Sequence, residues 1–177
     1  MDSKIVDMIY DFITGKETPL IGAEENRQRV ERFLVEQKGF AKQDIEVDAP
    51  LEITLSGEVY RSRIDLIVRA NDRRLMAIKC AAGSLGSRER EILAAARLTD
   101  TYQIPFSMVS DGKTAIVLDT VSGQTIGEGL DAVFSKQDAS EKLKTLEFLP
   151  FPENKLHREK IIFRSYDSMN VNVSSAA

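Results

Sequence analysis

One aspartate and one lysine stand inside apolar runs, where their types and positions could do chemistry. Lys79 interrupts the run LMAIKCAAGS at residues 75–84, and Asp65 interrupts the run RIDLIV at residues 63–68. Side chains alternate between the two faces of a strand, so paired strands here would place Asp65 opposite Lys79 over a floor of small side chains. This pair is the first candidate site, and a lysine that only snorkels from a buried strand is the ordinary alternative.

The spacing of apolar residues predicts the elements that would position this pair. The sequence predicts three helices, at residues 5–13, 23–38 and 89–102. It also predicts a three-stranded antiparallel meander, followed by two further strands, at residues 45–82, 106–109 and 115–118. Ser87 is the predicted N-cap of the third helix. This order favours an α/β fold, with a mixed β-sheet flanked by helices.

A change of pattern at Gly129 divides the chain into two predicted parts. Residues 1–129 contain the predicted sheet and its helices. Residues 130–177 return to helical spacing, interrupted by the two prolines of LPFP, and we expect them to form a helical extension packed on the same domain.

Composition restricts the classes of function. The 177 residues carry a net charge of −4, so binding of a polyanion would need a local basic patch. One cysteine, Cys80, and one histidine, His157, exclude an intrachain disulfide and a structural zinc site. The N-terminal residues lack the pattern of a signal peptide and no run of about 18 apolar residues occurs, so we expect a cytoplasmic protein without a membrane partner.

Three stretches of the chain have sequences typical of one nuclease family: AEENRQRVERFLVEQKGF, RSRIDLIVRANDRRLMAIKCAAGS and IPFSMVSDGKTAIVLD. Through them, residues 23–120 resemble the N-terminal nuclease domain of type I restriction enzyme R subunits, a branch of the PD-(D/E)xK superfamily. The resemblance implies a restriction-endonuclease-like fold with Mg²⁺ as the cofactor of an active member. It also implies DNA and separate restriction-system subunits as partners.

In such nucleases an aspartate and a glutamate on neighbouring strands hold the magnesium ion, and a lysine follows the glutamate by two residues. The resemblance places Asp65 at the aspartate, but no glutamate occurs in IKCAAGS. Without a gap, Lys79 falls on the glutamate position and Ala81 on the lysine position. A shift of two residues keeps Lys79 as the lysine and leaves Ala77 in place of the glutamate. We favour the ungapped alignment because it keeps Cys80 and the small residues after it in place.

The missing glutamate leaves two interpretations of the site. In the first the metal site is degenerate, because an ammonium about 4 Å from a cation repels it by a few kcal/mol per unit charge. In the second the protein is an active Mg²⁺-dependent endonuclease whose missing carboxylate is replaced by Glu24 or Glu91. The ordinary roles of these two residues are a favourable charge at a helix start and a solvated surface charge.

Three arginines share the predicted strand face of Asp65: Arg61, Arg63 and Arg69. Together with Lys79 they could line a basic groove for a DNA backbone, although arginines in this spacing are as often partners of surface ion pairs. Ile64, Leu66 and Val68 are expected on the opposite face. We therefore carry three hypotheses: a DNA-associated or interaction module with a degenerate site, an active endonuclease, and a self-associating structural protein that binds no DNA.

Overall fold

The computed structural model describes the backbone of residues 5–175 and the side chains of residues 5–169. The strands are β1 Met8–Tyr10, β2 Glu17–Pro19, β3 Ile45–Leu55, β4 Glu58–Ala70, β5 Arg73–Cys80, β6 Phe106–Ser110, β7 Ala115–Asp119 and β8 Thr125–Glu128. The helices are α1 Glu24–Arg32, which continues as a π-helical turn over Phe33–Gln37, α2 Glu89–Leu98, α3 Lys136–Leu143 and α4 Glu153–Ser175. None of the helices within residues 5–175 has the length and apolar character needed to cross a membrane.

The main sheet has six strands in the order β3-β4-β5-β6-β7-β8. All neighbouring strands run antiparallel except β5 and β6, which are parallel and are connected through α2. The meander from β3 to β5 forms because Ser56-Gly57 and Asn71-Asp72 adopt positive φ, as tight two-residue hairpin turns require. The predicted mixed α/β fold with C-terminal helices is confirmed.

Helices cover both faces of the sheet and bury two separate apolar clusters. One cluster joins α1 and α3 to alternate sheet residues that include Leu66, Val68, Met76 and Ile78. The other cluster joins α2 and α4 to sheet residues that include Ile67, Ala77, Val109 and Leu118. This alternation directs the side chains of Asp65 and Lys79 towards α2.

Ile64 departs from the predicted alternation. It packs in the α2 and α4 cluster with Ile67, whereas Leu66 and Val68 pack on the opposite face as expected. The facing part of β3 contains Asp48, whose positive φ of 53° turns the strand locally. The expectation that Ile64 shares a face with Leu66 and Val68 was therefore wrong, because this turn in β3 changes the sheet beside Asp65.

The prediction of a helix at residues 5–13 was wrong. These residues instead contribute β1 to a small hairpin with β2. Asp11 starts the reversal, because its carboxylate accepts hydrogen bonds from the N–H groups of Ile13 and Thr14, and Gly15 completes it with a φ of 71°.

Two smaller predictions also differ from the structure. Ser87 does not cap α2, because its hydroxyl donates to the carbonyl of Ser84 and the helix begins two residues later. Strand β8 was not predicted, since it has only four residues, of which three pair with β7, and most of them are exposed.

The hairpin is attached to α1 by a buried polar network. Gln28 donates to the Asp11 carboxylate at 3.0 Å and accepts the N–H of Phe12 at 2.7 Å. Glu31 lies in the same region with no exposed surface, and burial together with the neighbouring Asp11 carboxylate raises its pKa to about 9. Glu31 is therefore neutral at physiological pH.

We expect Glu31→Gln to stabilise the protein increasingly as pH rises, by about 5 kcal/mol at pH 8 relative to pH 4.5. The unfolded chain loses the Glu31 proton near pH 4.5 and the folded chain only near 9, so this residue lowers stability as pH rises between these values. Glutamine has the shape of the protonated acid and removes the effect. Urea unfolding at pH 5, 7 and 8 measures the difference, and Glu36→Gln, exposed on the same helical segment, is the control. A gain that does not grow with pH would contradict the assignment.

Candidate functional site

The register of β4 and β5 brings Asp65 and Lys79 together. Leu66 pairs with Ile78, so Asp65 and Lys79 are the next residues of their strands. The Lys79 Nζ lies 3.9 Å from the Asp65 Oδ2. The same oxygen accepts the N–H of Cys80 at 2.8 Å, which fixes the carboxylate at the end of β5. The two residues therefore face each other, as strand alternation predicts.

Glu91, in the first turn of α2, is the second carboxylate at this lysine. Its Oε1 lies 3.4 Å from the Lys79 Nζ, and the side chain is buried between α2 and the sheet. Burial alone would lower the pKa of Lys79, but the charges of Asp65 and Glu91 outweigh burial and raise it. The ammonium therefore remains charged between two carboxylates.

A small cavity of about 10 Å³ lies beside these three charged groups, and its volume is enough for about one water molecule. Its lining residues are Arg63, Ile64, Asp65, Lys79, Glu91, Ile92, Ala95 and Phe163. Phe163 belongs to α4 and is almost fully buried, so the C-terminal helix forms part of the cavity wall.

Glu24 is not one of the carboxylates at Lys79. It accepts hydrogen bonds from Arg27 at 2.8 Å and from Gln28 at 2.9 Å. Arg27 also donates to Asp48 at 2.8 Å, and so its guanidinium lies between two carboxylates. Burial alone would lower the pKa of Arg27, but its bonds with Glu24 and Asp48 raise it. An arginine therefore already neutralises the Glu24 carboxylate.

The residues at the site do not fit a magnesium ion. Mg²⁺ needs oxygen ligands around an open position, and here the Lys79 ammonium lies within 4 Å of both Asp65 and Glu91. Within the described residues, no group of three or more His, Cys, Asp and Glu side chains is arranged to hold a metal ion. The arrangement can instead act as a partly buried ion-pair cluster.

The three arginines of the predicted DNA groove have acidic neighbours on β3. The Arg61 Nε lies 2.9 Å from Glu52, the Arg63 Nη1 lies 3.9 Å from Asp48, and the Arg69 Nη1 lies 3.6 Å from Glu46. The side chains of Arg61 and Arg63 are more than two-thirds exposed, and that of Arg69 is about one-third exposed. Arg61 and Arg63 alternate along β4 with Tyr60, Ser62 and Ile64, which face α4, so these two arginines lie on the other side of the sheet from Asp65. The expectation that they share its face was wrong, because the alternation of β4 changes beside Asp48.

Sequence reasoning missed the residues that α4 adds to this region. Phe163 lines the cavity, and Asp167 accepts hydrogen bonds from Tyr60 and Ser62 of β4. The available signal was the spacing of four residues from Glu159 to Phe163 and from Phe163 to Asp167, which places them on one helix face. The order of elements gave no reason to place that face over Asp65.

The chain was compared with known families and proteins. The family described as the type I restriction enzyme R protein N terminus matches residues 22–133, which include β3 to β8, α1 and α2. No curated protein and no solved structure matches the chain.

We expect Lys79→Met to destabilise the fold by about 2 kcal/mol, because it removes the cation that lies within 4 Å of both Asp65 and Glu91 in a partly buried site, although Arg88 remains 3.8 Å from Glu91. Methionine keeps the length of the apolar stem, and Lys113→Met, at an exposed position, is the control. Denaturant unfolding at pH 7 measures the effect, and equal stability of the two variants would contradict the ion-pair cluster.

Proposed function

This chain belongs to the family of type I restriction enzyme R protein N termini, and we propose that it is a nuclease-fold domain that associates with DNA without cleaving it. One observation carries the proposal: the Lys79 ammonium lies between the carboxylates of Asp65 and Glu91. In an active member of the superfamily a magnesium ion would be held beside the aspartate. A lysine at that position neutralises the aspartate and leaves no room for the metal.

Electrostatics favours the ion pair over the metal. At about 4 Å and an effective dielectric near 20, an ammonium repels a cation by about 4 kcal/mol per unit charge. The Lys79 ammonium gains from both carboxylates, as its raised pKa indicates. Displacing it would require a Mg²⁺ ion to lose hydration and compete with an attached cation for the same oxygens.

The register supports the alignment that places Lys79 at the family glutamate. A glutamate that shares a metal with Asp65 has to stand beside it on β5, and Lys79 has that position. Ala77 pairs with Ile67 and has no exposed surface, so a carboxylate there would lie inside the apolar core. Ala81 then occupies the position of the family lysine.

Glu91 supports a second candidate, an active Mg²⁺-dependent endonuclease. Its carboxylate is 3.4 Å from Lys79, close enough for Asp65 and Glu91 to act as the metal ligands if Lys79 moved away to act as the family lysine. Glu24 is less suited to this role because Arg27 already binds it.

Association with DNA is proposed through the exposed arginines of β4, with other subunits of a restriction system as partners and a reducing cytoplasm as the setting. Ion pairs between exposed side chains contribute only about 0–1 kcal/mol, so phosphate groups can replace Glu52 and Asp48 at Arg61 and Arg63. The neighbouring acidic side chains oppose a polyanion. Binding should therefore be weak and should depend on salt.

We expect calorimetric titration with Mg²⁺ or Mn²⁺ to show no binding that depends on Asp65. Wild type and Asp65→Asn should give the same heats, with Asp131→Asn, an exposed aspartate, as the control. Lys79→Glu should create binding, because it replaces the ammonium by a carboxylate next to Asp65 and Glu91. Micromolar binding by wild type that Asp65→Asn removes, together with plasmid cleavage, would favour the endonuclease instead.

A second prediction concerns Arg61 and Arg63. Replacing both by alanine should weaken retention of a short DNA duplex at about 50 mM salt and lower the slope of affinity against salt by about two counterions. Lys113→Ala with Lys155→Ala, two exposed lysines elsewhere, is the control for net charge. An affinity that does not change with salt, or no retention of any variant at low salt, would contradict the DNA association.

A further inference from the structure

Three side chains of α4 form a buried stripe that faces α2 and β4. Glu159, Phe163 and Asp167 are separated by four residues each and are 4%, 2% and 7% exposed. Two carboxylates therefore lie one helical turn above and below an aromatic ring, on the side of α4 that covers the sheet. Residues 153–175 lie beyond the region that matches the family.

Glu159 binds two arginines of α2. Arg90 donates to both oxygens of its carboxylate, at 2.6 and 2.8 Å, and Arg97 donates to one of them at 3.0 Å. Burial alone would raise the pKa of Glu159, but the hydrogen bonds from Arg90 and Arg97 outweigh burial and lower it. The Glu159 carboxylate therefore stays charged and binds two guanidinium groups, that of Arg90 through both oxygens and that of Arg97 through one.

Asp167 binds two hydroxyl groups of β4. It accepts a hydrogen bond from the Tyr60 hydroxyl at 2.5 Å and from the Ser62 hydroxyl at 2.9 Å. Burial, followed by the hydrogen bond to Asp167, raises the pKa of Tyr60. The phenol therefore keeps its proton and remains a donor to the carboxylate.

Phe163 stands between these two carboxylates and lines the cavity beside Lys79 and Glu91. Its ring also meets Tyr60 edge to face, with the centroids 6.4 Å apart. The three contacts seat α4 over the positions where the family places its catalytic cleft.

We infer that α4 is an intramolecular acidic cover, whose Glu159 and Asp167 carboxylates occupy a binding surface for the phosphate backbone of duplex DNA. This inference rests on the proposed DNA association. It assigns the main contacts with the DNA backbone to Arg90 and Arg97 of α2 in place of the arginines of β4. The guanidinium fork that holds a carboxylate also fits a phosphate group, and hydroxyls donate to either. Without α4, Arg90 and Arg97 would lose their carboxylate partner, although Arg97 would keep its bond to the carbonyl of Thr120, and the hydroxyls of Tyr60 and Ser62 would be further donors.

The cover and the DNA backbone should exclude each other. Both are anionic and both would use Arg90 and Arg97, so DNA can bind this surface only where α4 has moved away. The coupling is reciprocal: whatever loosens α4 strengthens DNA binding, and bound DNA loosens α4 to the same extent. This reciprocity can be measured from both sides.

The first arm of the test measures affinity for a short fluorescent duplex by anisotropy at about 50 mM salt. The full chain carrying Glu159→Gln with Asp167→Asn should bind about tenfold or more tightly than wild type. Asp131→Asn with Glu147→Gln changes the net charge equally at exposed positions and should give a smaller gain. Adding Arg90→Ala and Arg97→Ala to the first variant should remove its gain. A gain no larger than that of the charge control, or one that survives loss of the arginines, overturns the cover.

The second arm uses wild type and does not depend on the folding of a variant. Saturating duplex should accelerate amide hydrogen exchange in α4 and slow it in α2. DNA binding that leaves α4 fully protected overturns the cover and leaves the proposed DNA association standing. Failure of wild type and of the double variant to bind any duplex overturns both, whereas the metal titration tests the degenerate site independently.

Discussion

The pairing of Lys79 with Asp65 and Glu91 is the interaction on which the rest of this structure depends. It joins β5 to β4 and to the first turn of α2 at a place with room for about one water molecule. In such a place unpaired charges are costly, so the ammonium and the two carboxylates compensate one another where α2 and Phe163 pack against the sheet.

Carboxylates are paired with cationic side chains between packed elements at other positions too. Arg27 lies between Glu24 and Asp48 and connects α1 to β3, and Glu159 connects α4 to two arginines of α2. Each cluster links elements that are distant in sequence, so its charges hold the tertiary arrangement as well as satisfying one another. Glu31 is the exception, since its raised pKa keeps the buried carboxyl group neutral.

The pairing of β4 with β5 could be predicted because Asp65 and Lys79 each interrupt an apolar run, and strand alternation was enough to place the two residues opposite each other. The hairpin of β1 and β2 could not be predicted, because its apolar residues repeat at helical spacing although several of them are exposed. The side of the sheet on which Ile64 packs was also hidden, since it depends on the backbone of Asp48 in a neighbouring strand. The contact of Glu91 with Lys79 does not follow from local pattern, whereas Arg27 and Gln28 lie three and four residues after Glu24.

By itself, the sequence determined the mixed sheet, the helices other than the one expected at residues 5–13, and the membership of the family, because periodicity and the residue types of successive elements are local properties. It also showed that the expected glutamate is missing beside Cys80. Only the tertiary structure decided that Lys79 lies between Asp65 and Glu91 and that α4 covers the place where they meet. The physical reason is that long-range charge pairing and the choice of sheet face depend on how elements pack, and residues far apart in the chain set that packing.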